Sequence, residues 1–242
     1  MDTVTLIVDA DDTLWENNIY YDQCIANFVA LMAGLGFDRE EADHTVHAVE
    51  RERVPVVGYA PEEFVNSLVV AYERLCERRG QAPEDGTVER VREIGQAVIG
   101  YPIVLLDGVA GTLARLKERF RLILLTKGDP ATQEDKLTRS GLAHFFDGVH
   151  VVAEKDAAVF RNLIAQYALS PAQTWMVGNS PRSDINPAVA AGLGAVYVPH
   201  SETWGFELGT LVESERVTVV ERFADLVPLF LGGVDGAGEM AL

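Results

Sequence analysis

The chain has 242 residues, 48% hydrophobic and 24% charged, a composition that suits a globular protein with one sizeable domain plus an insert, or two small domains. Acids outnumber bases 37 to 20, and the net charge of −17 argues against nucleic acid polymers and anionic membranes as partners. Cys24 and Cys76 lie far apart, the start is not signal-like, and no apolar run reaches the ~18 residues of a membrane span, so reduced thiols and a cytoplasmic, soluble protein are expected.

In chain order, the first element is a short apolar strand, Thr5 to Val8, which runs directly into Asp9-Ala10-Asp11-Asp12-Thr13-Leu14-Trp15. From about Glu16 to Val104 no strand is expected, but helix-like blocks cover Cys24 to Leu35, Arg39 to Arg53, Pro61 to Arg79 and Glu84 to Ile99. Breaks fall near Gly34-Leu35-Gly36, Val54 to Gly58, Gly80 to Pro83 and Gly100-Tyr101-Pro102. Further strands are expected at Leu122 to Leu125, Val149 to Ala153, Thr174 to Val177 and Ala195 to Val198, with Val217 to Val220 as an extra edge. Between them, Gly111 to Phe120, Thr132 to Ser140, Ala157 to Tyr167 and Pro187 to Ala191 carry helical spacing, and the Gly-rich end from Gly232 to Leu242 is expected to fray. Alternating strands and helices imply a parallel sheet covered on both faces, with a helical insert between its first two strands.

In such a sheet, ligands bind outside the carboxyl ends of the strands. The residues there are Asp9 and Asp11, then Thr126-Lys127-Gly128-Asp129, then Glu154-Lys155-Asp156, then Gly178-Asn179-Ser180 with Asp184 beyond. Each has an ordinary alternative: Thr126 as a helix cap, Lys155 as a solvated charge, Asn179-Ser180 as a turn. Their order at successive strand ends favours one polar site. Crowded acids repel one another unless a cation intervenes, and the simplest such cation is Mg2+, which takes hard oxygen ligands.

These motifs resemble those of the haloacid dehalogenase superfamily. Asp9-Ala10-Asp11-Asp12-Thr13 resembles its first motif, DxDGT or DxDDT. Leu124-Leu125-Thr126 with Lys127-Gly128 resembles the second, Lys155 fits the third, and Gly178-Asn179-Ser180-Pro181-Arg182-Ser183-Asp184 is similar to the fourth, GDxxxxD. Leu106-Asp107-Gly108-Val109 resembles the re-entry from an α-helical cap, and the likeness covers residues 5 to about 199. The fold implied is a Rossmann-like three-layer α/β/α core of residues 1–15 and 105–242 with a cap at 16–104.

The resemblance implies a Mg2+-dependent phosphatase for small phosphorylated metabolites. Asp9 is then the nucleophile and Asp11 the acid–base. Thr126 and Lys155 hold phosphate, and Asp9, the carbonyl of Asp11, Asn179 and Asp184 hold the metal. Lys127, Arg182, Asn17 and Tyr20 are candidate substrate contacts, with Trp15, Asn18 and Tyr21 as further lining candidates for which packing is the alternative. Retaining Asp11 as an acid favours phosphate esters over dehalogenation. Asn179, where the family usually has Asp, removes a formal charge from the metal site, so a non-catalytic phospholigand- or protein-binding descendant is the alternative reading. The sequence leaves monomer and homodimer open.

Overall fold

The computed structural model describes residues 4–232, so the Gly-rich end expected to fray lies, from residue 233 on, outside the described residues. The described chain divides into two compact units. One joins the stretch up to Glu16 with the chain from Ile103 onward, and the other is Asn17–Pro102.

The first unit is built on six strands, β1 (Thr5–Val8), β2 (Arg121–Lys127), β3 (Gly148–Val152), β4 (Thr174–Gly178), β5 (Gly194–Tyr197) and β6 (Val217–Val219). Every pairing is parallel and the order is β3-β2-β1-β4-β5-β6, which reverses direction at β1. Side chains alternate across the strands. Leu6, Val8, Leu122, Leu124 and Val177 face one apolar cluster, whereas Ile7, Ile123, Leu125 and Met176 face another with Phe160 and Leu163. Both faces are therefore covered, as the unbroken apolar runs require.

The helices of this unit separate in the same way. Val109, Leu113 and Leu116 of the helix Val109–Lys117, Leu137 of Pro130–Ser140 and Leu226 of Leu226–Leu231 join the first cluster. Phe160 and Leu163 of Ala157–Tyr167 and Ala188 of Asn186–Ala190 join the second. The layered α/β/α architecture expected from the sequence is present.

The second unit contains α1 (Asn18–Gly34), α2 (Arg39–Val57), α3 (Pro61–Arg78) and α4 (Asp85–Gln96). Counting on in chain order, the helices of the first unit are α5 (Val109–Lys117), α6 (Pro130–Ser140), α7 (Ala157–Tyr167), α8 (Asn186–Ala190) and α9 (Leu226–Leu231). Phe28, Met32, Val46, Val49, Leu68, Leu75 and Val91 form a core within the helical unit, shared by all four of its helices. Asp38 caps α2 by accepting from Glu41 N–H at 2.9 Å.

Several elements differ from their expected limits: α1 begins at Asn18, six residues before the expected Cys24, most others shift by one to three residues, and α2 and β2 run on past their expected ends. The helix expected to break near Val54 continues through Pro55 to Val57, because Pro55 lies in the last turn and costs few bonds there. Gly58, at φ +84°, ends it and donates to the Val54 carbonyl at 3.0 Å. Strand β2 extends to Lys127, pairing Thr126 with Val151 and Lys127 with Val152.

Phe160 is fully buried between α7 and the sheet. Truncation by Phe160→Ala is expected to destabilise folding by about 3–5 kcal/mol through lost transfer energy and a cavity. A lowered denaturant midpoint with an unchanged slope checks this.

Candidate active site

The first strand delivers its acids through a tight loop. Asp9 N–H donates to the Val177 carbonyl at 2.9 Å, a ladder bond that holds the end of β1 beside β4. The chain then turns: Leu14 N–H donates to Ala10 O at 2.8 Å and Asp12 N–H to Trp15 O at 2.8 Å. Asp12 sits at φ +57°, the left-handed region that an Asp tolerates better than most residues. That explains how an acid can stand where the resembling motif commonly has Gly.

Lys155 lies just after β3, 6% exposed, and its ammonium bridges two carboxylates. It pairs with Asp9 Oδ1 and, at 2.7 Å, with Asp184 Oδ1. It is therefore a buried cation and not a solvated one. Burial opposes its charge, but Asp184 and Asp9 together outweigh burial and hold it above the ordinary lysine value. Burial pushes the carboxyl of Asp184 up to about 7 and raises that of Asp9, in both cases against the pull of Lys155.

Asp184 is fixed by the chain around it. Ser180 N–H donates to its Oδ2 at 3.0 Å, and the Ser180 hydroxyl caps the π-helical turn Pro181–Ile185 by accepting from Ser183 N–H at 2.8 Å. The approach to β4 is so close that a Cβ on Gly178 would stand 2.2 Å from Asp184 Oδ2. Only glycine fits at this position without displacing the carboxylate.

Asn179 is oriented from both ends of its amide. Its Nδ2 donates to Thr203 Oγ1 at 2.9 Å, which leaves Oδ1 3.1 Å from the Thr13 hydroxyl. Thr13 Oγ1 is also 2.9 Å from Asp9 Oδ2, so one hydroxyl links the two oxygens expected to face a metal. The fit between Nδ2 and Thr203 is specific for an amide, because the Thr203 hydroxyl donates to the His200 carbonyl at 2.9 Å and accepts from Asn179.

Thr126 is 1% exposed and its Oγ1 has no hydrogen-bond partner among the described residues. Helix capping does not account for it, since Asp129 caps α6 by accepting from Thr132 N–H at 2.9 Å. An unpaired buried hydroxyl is costly, and at a strand end beside Asp9 it is suited to meet an anion.

Asp11 points into a separate set of donors. Trp15 Nε1 donates to Oδ1 at 2.8 Å, Gln133 Nε2 to Oδ2 at 2.8 Å, and Lys136 Nζ lies 3.0 Å from both oxygens. Neither Gln133 nor Lys136 was anticipated from the sequence, although their i, i+3 spacing within the expected helix Thr132 to Ser140 was a visible signal. Gln133 also presses on the second motif: a Cβ on Gly128, at φ +148°, would come within 2.7 Å of its Nε2.

The remaining candidates are engaged elsewhere. Lys127 pairs with Glu207, whose carboxylate also accepts from the Ser180 hydroxyl at 2.6 Å. Burial alone would raise the Glu207 carboxyl, but Lys127 and these hydrogen bonds hold it below its usual value. Arg182 Nη1 donates to the Phe206 carbonyl at 3.0 Å. In the helical unit, Asn17 accepts from the Tyr101 hydroxyl, and Tyr20 stacks on Tyr101 with centroids 4.1 Å apart. Asn18 donates to Asp22 at 2.9 Å, and Tyr21 meets Phe64 edge-on. Trp15 is fully buried in the core of the first unit. Asp12, Glu16 and His200 form a further group whose ligand-type atoms lie within 4.8 Å of one another, with His200 Nε2 3.2 Å from Glu16 Oε2.

The family model of haloacid dehalogenase-like hydrolases matches residues 3–192. The chain is 33% identical over 170 residues to the phosphoserine phosphatase of Thermus thermophilus, covering 66% of this chain and 62% of that protein. It is 24% identical over 205 residues to the glyceraldehyde 3-phosphate phosphatase of Methanopyrus kandleri, covering 80% of this chain and 82% of that one. Among solved structures, a haloacid dehalogenase-like family hydrolase from Xanthomonas campestris superposes with a TM-score of 0.77 at 28% identity, covering 95% of this chain and 96% of the other. The chain thus spans less than two thirds of the Thermus relative but nearly all of the Xanthomonas structure. With the strand-end acids, the buried lysine and the match over most of its length together, the chain belongs to the haloacid dehalogenase-like hydrolases.

Proposed function

We propose that this protein is a Mg2+-dependent phosphatase that cleaves phosphate monoesters of small metabolites through an aspartyl-phosphate. The observation that carries this reading is the partnerless buried hydroxyl of Thr126 at the strand end beside Asp9 and Lys155. Phosphoryl transfer depends on positioning and charge stabilisation, and these groups supply both. The printed activities of the Thermus and Methanopyrus relatives are both phosphatase activities, which supports the same class.

Asp9 attacks phosphorus, forming an oxygen–phosphorus bond as the bond to the leaving oxygen breaks. Asp11 delivers a proton to that oxygen, then takes one from the water that attacks the aspartyl-phosphate and frees inorganic phosphate. Thr126 donates to a phosphate oxygen. Lys155 opposes the burial that raises the Asp9 carboxyl and offers positive charge to the transferring group. The helical unit Asn17–Pro102 is read as the family's substrate-selecting cap, with Asn17 and Tyr20 as its candidate contacts.

The donor set suits magnesium. Asp9 Oδ2 and Asn179 Oδ1 converge on the Thr13 hydroxyl, and the buried trio of Asp9, Asp184 and Lys155 sets two acids against one cation. Asp9, the Asp11 carbonyl, Asn179 and Asp184 would hold the ion, which when bound screens the incoming phosphate from these carboxylates. Asn179 favours a second reading, a phospholigand-binding descendant with weak metal affinity.

Hydrolysis of an aryl phosphate and a panel of metabolite phosphates, with Mg2+ and with chelator, separates the two readings. Magnesium-dependent turnover that vanishes in Asp9→Asn, with unchanged thermal unfolding, is expected; turnover surviving that change rules out Asp9 as nucleophile. Asn179→Asp is expected to tighten Mg2+ while losing the donor to Thr203, and titration calorimetry reads the change; unaltered affinity removes position 179 from the ligand set.

The buried acids also make stability depend on pH. Asp184 rises from 3.8 to about 7 on folding, so the folded protein binds more protons than the unfolded chain between those values. Metal-free protein should therefore lose stability as pH rises from about 4 to 7. Asp184→Asn should flatten that slope, and Mg2+ at neutral pH should raise Tm, both read by calorimetry.

A further inference from the structure

We propose that Lys136 and Gln133 are positioning residues for the proton transfer at Asp11. The inference rests on the phosphatase reading and deepens it. Helix α6 begins directly after the second motif, with Asp129 as its cap, and its first turns lie beside the phosphate-gripping residue Thr126. Three and six residues past the cap-adjacent Pro130, the same helix presents Gln133 and Lys136, both 5% exposed. The i, i+3 spacing puts both on one face, and both meet Asp11: Gln133 Nε2 at 2.8 Å on Oδ2, Lys136 Nζ at 3.0 Å on each oxygen.

The two grips differ in kind. Lys136 supplies a charge-assisted contact symmetric about the carboxylate, which sets where the group lies. Gln133 sets its rotation, because its Nε2 also donates to the Lys127 carbonyl at 3.0 Å and is thereby tied to strand β2. Trp15 closes the other side at 2.8 Å on Oδ1. A second observation marks the same place as a working one: Gln133 Oε1 is buried and without a partner among the described residues, a cost that the dual use of Nε2 imposes. One helix, starting three residues after the strand that bears Thr126, thus carries both side chains that hold the acid–base group. The position of the Asp11 carboxyl relative to Thr126 is then set by α6 as well as by the tight loop after β1. During the first step, Asp11 loses its proton to the leaving oxygen as the ester bond breaks and the Asp9–phosphorus bond forms, and Lys136 and Gln133 hold the resulting carboxylate in place.

The test compares single-turnover alcohol release from an alkyl phosphate, whose leaving group needs a proton, and from an aryl phosphate, whose leaving group does not. Lys136→Met is expected to slow the alkyl ester roughly 10- to 100-fold, within the span of general acid catalysis, and the aryl ester less than about threefold. KM should stay within about twofold, Lys136→Arg should restore most of the alkyl rate, and Gln133→Leu should show the same selectivity more weakly. Equal losses on both esters, no loss, or failure of the arginine variant to rescue would overturn the proposal. Should Lys136→Met not fold, Lys136→Arg and Gln133→Leu carry the comparison. Asp11→Asn is the reference: if it is selective for the alkyl ester and the Lys136 and Gln133 variants are not, this inference alone fails. If wild type cleaves neither ester, or Asp11→Asn is unselective, the phosphatase reading or the acid role of Asp11 fails, and the proposal with it.

Discussion

Lys155 between Asp9 and Asp184 is the interaction on which the rest of the site depends. Three ionisable groups stand in a region closed to solvent, two of one sign and one of the other. Such an arrangement contributes little net stability, because desolvation consumes most of the Coulombic gain. Its value lies in what it fixes. The ammonium draws the end of β1, the loop after β3 and the turn after β4 to one point, and leaves the pair of acids short of positive charge. Buried, charge-mismatched clusters of this kind are found where chemistry is done.

The parallel sheet makes that convergence possible. Because β1, β2 and β4 run the same way in direct register, their carboxyl ends emerge side by side, and the order reverses at β1. Glycine and a left-handed aspartate then accommodate what the sheet brings together. Gly178 leaves room for Asp184 against the strand, and Asp12 turns the chain back so that Trp15 lies under Asp11. The buried strands supply rigidity, and the loops supply the polar atoms.

The segment following β5 adds a layer of support. Thr203 orients the Asn179 amide, and Glu207 ties Lys127 to Ser180, the residue that caps the turn bearing Asp184. Through these contacts the second and fourth motifs are joined by side chains that belong to neither. Lys127, a candidate phosphate contact by position, acts within this network as a structural cation.

The strands and the order of the site residues were legible in the sequence because both rest on local signals. Apolar runs of four or five residues mark buried strands, and Asp9, Asp11, Thr126 and Lys155 follow those runs within one to three positions. Limits that shifted, such as the start of α1, the end of α2 past Pro55 and the end of β2, depend on whether a helix or strand can continue a turn or two residues further, which neighbouring backbone decides. Partnerships were not legible at all. That Lys136 holds Asp11 across 125 positions, that Glu207 takes Lys127 across 80, and that Thr203 suits an amide at Asn179 are facts of chain return. Sequence by itself determined which chemical groups stand at the strand ends, since period and composition are local. Only the tertiary structure decided which of them are paired, which are buried, and which, like the hydroxyl of Thr126, have no hydrogen-bond partner among the described residues, since those properties arise between segments distant in the chain.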